Sequence, residues 1–110
     1  MLLPVTPAQI AAEIDFIAVH VYPETGKVDA ALGSLAAYRH GKPIVVEETF
    51  PMNCTPEEYA DFLRRSRGIA DGWLAHFWSL TPEELEGATE IADVLMRDSL
   101  DVFQRLDPNR

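Results

Sequence analysis

The run Lys42-Pro43-Ile44-Val45-Val46-Glu47-Glu48-Thr49-Phe50-Pro51 constrains this chain more than any other stretch. Successive Ile and Val residues suit a strand buried on both faces, as in a parallel sheet covered by helices. The run then stops on two carboxylates, and an unpaired buried carboxylate is costly. Glu47 and Glu48 therefore belong where the strand leaves the core. In parallel β/α proteins the C-terminal strand ends are where ligands bind and chemistry takes place. Neighbouring strand side chains point to opposite faces, so the two acids share one pocket only if the strand has ended or bulged. One acid is thus a candidate catalytic group and the other structural. The alternative is that both are solvated loop acids.

The flanking chain alternates helix and strand signals. Thr6-Pro7-Ala8-Gln9 combines a capping threonine, a proline at the first helical position and a glutamine three residues after the cap, which predicts a helix to about residue 13. Residues 14–21 (IDFIAVHV) are β-branched and aromatic and predict a strand that ends in His20-Val21-Tyr22-Pro23. Val28, Ala31, Leu32, Leu35 and Ala36 recur at helical spacing over 28–39, and Gly41 stops that helix. The central strand follows. Thr55-Pro56-Glu57-Glu58 opens a second capped helix with Tyr59, Phe62 and Leu63 inward and Arg64, Arg65 and Arg67 on a solvated face. Residues 72–77 (GWLAHF) predict a third strand leading into Trp78, with Trp73 in the core. Thr81-Pro82-Glu83-Glu84 repeats the helix-start chemistry for a short helix to Gly87, and a longer helix covers 88–106. The order α-β-α-β-α-β-α with short connections implies parallel strands joined by right-handed crossovers.

At 110 residues, with 47% hydrophobic and 25% charged residues, the chain reads as one globular α/β domain or a piece of a larger one. The net charge of -9 argues against nucleic-acid partners and anionic membranes, which need a basic footprint. No apolar run approaches the length that spans a bilayer. Met1-Leu2-Leu3-Pro4 lacks the basic region and long apolar core of a signal peptide. The one cysteine, Cys54, excludes an internal disulfide and a cysteine-based zinc cluster, and reads as a bystander thiol.

Taken together, the strand ends His20-Val21-Tyr22-Pro23, Val46-Glu47-Glu48-Thr49-Phe50 and His76-Phe77-Trp78 resemble the last three strands of a (β/α)8-barrel glycoside hydrolase. The resemblance is to the clan that includes family 5 cellulases and mannanases. In that clan the sixth strand ends in a His-x-Tyr pattern, the seventh reads Lys-Pro, apolar residues and a glutamate, and the eighth ends in a tryptophan. The resemblance covers residues 15–78 and implies one domain over 1–110, a partial TIM barrel of three parallel strands each followed by a helix. It implies that Glu48 is the nucleophile, that Tyr22 donates a hydrogen bond to it, that His20 lines the sugar site and that Trp78 is a stacking platform for a pyranose ring. Glu47 stands where the clan has glycine, so Glu47 is the fallback nucleophile should the register differ by one.

The implied chemistry is double displacement on an oligo- or polysaccharide, with one carboxylate attacking the anomeric carbon and a second acting as acid and then base. It needs no cofactor and no metal. The clan carries the second carboxylate on its fourth strand, which has no counterpart here, whereas a full barrel has eight strands and about 250 residues. The expectation is therefore a C-terminal barrel portion, inactive alone, that needs the missing half or self-association. Its open strand edges predict oligomers or poor solubility. Two other classes remain open at this point. One is a non-catalytic half-barrel that binds carbohydrate or a protein. The other is a barrel-type metal-dependent hydrolase with His20, Glu48 and His76 as ligands.

Overall fold

A computed structural model describes residues 4–74 and 80–106. Its elements are α1 (Pro7–Ala11), β1 (Ile17–His20), α2 (Val28–Ala36), β2 (Ile44–Glu48), α3 (Pro56–Ser66), β3 (Gly72–Trp73) and α4 (Ile91–Leu106). The strands form one parallel sheet in the order β1-β2-β3. The mixed α/β class, the parallel sheet and the strand-to-helix alternation thus match the sequence expectation.

Alternation along β1 and β2 creates the core. Ile17 and Val19 are buried while Ala18 and His20 are exposed, and Ile44 and Val46 are buried while Val45 is half-buried. The buried set joins Leu32 and Leu35 of α2 and Tyr59, Phe62 and Leu63 of α3 in one apolar cluster. α3 contacts both α2 and α4, and the Tyr59 and Phe103 rings lie 6.3 Å apart at a tilt of 55°. The helices therefore cover one face of the β1–β2 pair. The other face is left open among the described residues.

The capping boxes at the starts of α1 and α3 form. Thr6 and Thr55 accept from the backbone N–H groups of Gln9 and Glu58, whose side chains accept from the cap N–H groups in return. Such pairs satisfy donors that the first helical turn leaves without partners. α1 nevertheless stops at Ala11, because the turn tightens and Glu13 N–H bonds to the Ile10 carbonyl at 2.9 Å. α2 stops at Ala36, short of Arg39, for the same reason. Tyr38 and Arg39 donate three residues back, to Leu35 and Ala36, and Gly41 then turns the chain at φ 79°.

β1 begins at Ile17 instead of residue 14, because its partner β2 begins at Ile44 and the ladder opens with Ile17 N–H on the Pro43 carbonyl. Among the described residues the third strand spans Gly72–Trp73, and Asp71 and Leu74 extend its pairing by donating to the Ile44 and Val46 carbonyls. The remainder of the expected strand, with His76 and Trp78, lies outside the described residues. Trp73 is half-buried against the core and donates its indole N–H to Ser66 Oγ at 2.9 Å. Residues 82–87 form turns where a short helix was expected. The Thr81–Glu84 box closes, but Glu86 then bonds only three residues back and Gly87 leaves at φ 80°. Arg64, Arg65 and Arg67 are exposed, as the sequence implied, and form surface pairings. Arg65 bridges Asp61 on its own helix and Asp29 on α2, and Arg67 reaches the Leu106 carbonyl.

Candidate active site

Backbone register decides what the two acids can reach. Val19 pairs with Val46, but the next β1 residue, His20, pairs with Glu48. One residue, Glu47, is thus extra on β2, the signature of a bulge. In an unbroken strand Glu48 would follow Ile44 and Val46 to the helix-covered face. The extra residue returns it to the open side, opposite His20. The stated condition under which both acids can face one pocket, a bulged strand, is what occurs.

Four of the residues singled out in the sequence meet here. Tyr22 Oη donates to Glu48 Oε1. His20 Nδ1 lies 3.3 Å from Glu48 Oε2, and His20 Nε2 lies 2.9 Å from Glu47 Oε1. The Glu48 side chain is 22% exposed, against 46% for Glu47 and 51% for His20. Glu48 is therefore the more sheltered acid and holds contacts on both oxygens, while Glu47 stands at the rim. The parallel ladder continues behind the site, with Val21 N–H donating to the Glu48 carbonyl at 3.0 Å. That bond brings the segment carrying Tyr22 alongside the end of β2.

Two open hollows border the group along the outer edge of β1. The first, about 370 Å³, runs from Pro7, Ile10 and Ile14 to His20 and Glu47. The second, about 310 Å³, lies beside His20, Tyr22, Lys27 and Tyr38. Volumes of this order suit small-molecule sites. Lys27 pairs with Glu24 at 3.0 Å on the rim of the second hollow.

Support comes from residues whose role was not read from the sequence. Tyr59 Oη donates to the Thr49 carbonyl at 3.0 Å and lies 3.5 Å from Ser99 Oγ, so α3 grips the backbone one residue beyond Glu48. Burial pushes the Tyr59 phenol up to about 12, which keeps it a donor at neutral pH. The loop after β1 is fastened to the loop after β2 by Thr25 N–H on the Asn53 carbonyl at 2.8 Å and Gly26 N–H on Glu58 Oε2 at 2.7 Å. The Gly26 and Thr55 amides hold the Glu58 carboxyl below the usual carboxylate range. Asp71 Oδ2 accepts from Ile44 N–H at 3.0 Å at the opposite end of β2. The capping box announced the Glu58 carboxylate, but its reach to Gly26 depends on a loop distant in sequence.

Burial, with a smaller contribution from Glu58, pushes the Cys54 thiol up to about 11. It is a thiol at neutral pH and fits no nucleophilic role. Among the described residues no three His, Cys, Asp or Glu side chains are grouped to hold a metal ion. His76 of the expected metal set and Trp78 of the expected sugar site lie outside those residues. Among them, too, no helix is long and apolar enough to cross a membrane. No family model, curated protein or solved structure matches this chain.

Proposed function

We propose that the chain carries the nucleophile half of a retaining glycoside hydrolase site within a partial (β/α)8 barrel. The observation that carries this reading is the contact of Tyr22 Oη with Glu48 Oε1 at the C-terminal ends of adjacent parallel strands. Glu48 is the nucleophile. Its carboxylate attacks the anomeric carbon of an oligo- or polysaccharide as the leaving-group oxygen departs, forming a glycosyl ester. Tyr22 orients that carboxylate, His20 flanks the sugar and Trp78 supplies the stacking face. The second carboxylate required for protonation of the leaving group and activation of water belongs to a strand outside the three described here.

An activated fluoro-glycoside, whose leaving group departs without protonation, tests the nucleophile by itself. Intact-mass spectrometry of the full chain is expected to show one added glycosyl group located on Glu48, absent in Glu48→Gln, with no multiple turnover of an ordinary aryl glycoside. Absence of the adduct across gluco and manno probes would overturn the assignment. A second reading, a non-catalytic carbohydrate-binding or interaction module, is favoured by the lack of an opposing acid/base carboxylate among the described strands. Saturable binding of oligosaccharide without adduct formation would select it.

A further inference from the structure

β1 is an edge strand, since the sheet runs β1-β2-β3. On its inner side Ile17 and Val21 donate their N–H groups to the Pro43 and Glu48 carbonyls. In a parallel ladder the residues between them turn their backbone groups the other way. The N–H and C=O groups of Ala18 and His20 therefore face outward, and both residues are exposed. Among the described residues no other segment pairs with that side. Such a row of backbone donors and acceptors is a template for one more strand.

The two hollows along this edge narrow the choice of strand. The first reaches round to the open face, walled by Pro7, Ile10 and Ile14 with Glu47 at its end. The second lies between the edge and α2 and is more polar, with Lys27, Ser34 and Tyr38. An added strand turns successive side chains to opposite sides of the sheet, so an apolar one meets the first hollow and a polar one the second. Charge decides the polar kind. Glu13 and Asp15 stand exposed just before β1, Glu24 just after it, and Glu47 is 46% exposed beside it. Lys27, the lysine at this edge, is paired with Glu24 at 3.0 Å. A second copy, with the same net charge of -9, would set these carboxylates against their own kind. We infer that the outer edge of β1 binds an extended segment of a partner protein in which apolar residues alternate with lysine or arginine. Main-chain bonds to Ala18 and His20 supply affinity, and the aliphatic hollow and the surrounding carboxylates supply specificity. None of this depends on the chemistry assigned to Glu48.

The test uses the nitrogen-15-labelled full chain and a capped hexapeptide of alternating valine and lysine. Titration is expected to saturate and to shift the Ala18 and His20 amides. At nine-tenths occupancy the exchange of those two amides with solvent is expected to slow about tenfold. A valine–glutamate hexapeptide is expected to bind about tenfold more weakly. Methylating alternate backbone nitrogens of the valine–lysine peptide, on the side that faces β1, is expected to abolish binding. Ala18→Pro removes one outward donor at an edge position that tolerates proline and is expected to weaken binding. Glu47→Gln is expected to narrow the preference for the lysine peptide over the glutamate one. Amide spectra that overlay the wild type away from β1 establish that both variants are folded. No saturation at millimolar peptide, shifts that spare Ala18 and His20, or equal binding of the two peptides would overturn the inference. So would protection of these amides in the free chain that grows with concentration, which would assign the edge to a second copy. The fluoro-glycoside adduct on Glu48 reports separately, so either result can fail without the other.

Discussion

The two faces of the β1–β2 pair obey the same alternation and end in opposite chemistry. On the covered face Ile17, Val19, Ile44 and Val46 are buried with the apolar residues of α2 and α3. On the open face Ala18 and Val45 lead up to His20 and Glu47. The faces stay separate until the one-residue bulge, where Glu48 leaves the parity of the core and joins the polar side. The difference teaches that the site is built by an interruption of the strand rule. A continuous β2 would have driven the Glu48 carboxylate toward Tyr59 and Phe62, at high desolvation cost.

The sharpest way to break this comparison is a substitution on each face. Ile44→Ala, on the covered face, is expected to cost about 2–5 kcal/mol of folding stability through lost burial and a residual cavity. Ala18→Ser, on the open face, is expected to stay within about 0.5 kcal/mol. Urea denaturation of the two variants checks both, and equal losses would mean that the open face is covered in solution.

The tyrosine hydroxyls on the two sides sharpen it further. Tyr59→Phe leaves the buried Thr49 carbonyl without its donor and is expected to cost about 1–3 kcal/mol. Tyr22→Phe removes a donor from a carboxylate that water can reach, and is expected to cost about 0.5–1.5 kcal/mol. Thermal unfolding of the pair measures the order, with Tyr22→Phe also slowing adduct formation on Glu48 while Tyr59→Phe acts mainly on stability.

Smaller effects come from the loops that close the site end. Thr55→Ala deletes one side of the α3 capping box and is expected to cost about 1 kcal/mol in denaturant titrations. The Glu58 carboxyl is held low in the folded chain by the Gly26 and Thr55 amides. A depressed folded value means that its contribution is fully present above the unfolded value, near 4.3, and is lost as pH falls through the folded one. Midpoints measured from neutral to acid pH are therefore expected to fall less steeply for Glu58→Gln than for the wild type. Parallel curves would show that the Gly26 contact contributes nothing in solution.

Much of the frame was legible because it depends on short-range chemistry. Thr6-x-x-Gln9 and Thr55-x-x-Glu58 marked helix starts, and the apolar runs marked the strands. The same Thr-x-x-Glu signal at Thr81 predicted a helix where the structure has turns, since capping satisfies a first turn but cannot sustain later ones. Strand length was also misjudged at residues 14–16, because a ladder extends only as far as its partner. Arg65 is the solvated charge the sequence implied, but its Asp29 partner was not legible, because the packing of α2 on α3 brings them together.

By itself, the sequence determined that Glu47 and Glu48 end a buried strand, that His20 and Tyr22 end another, and that the strands run parallel. Those conclusions follow from local pattern, connection length and the cost of burying charge. Tertiary structure alone decided that the two ends are neighbours in register and that β2 bulges at Glu47, so that one imidazole meets both acids. Register is a relation between two strands, and a bulge is visible only against the partner it fails to match.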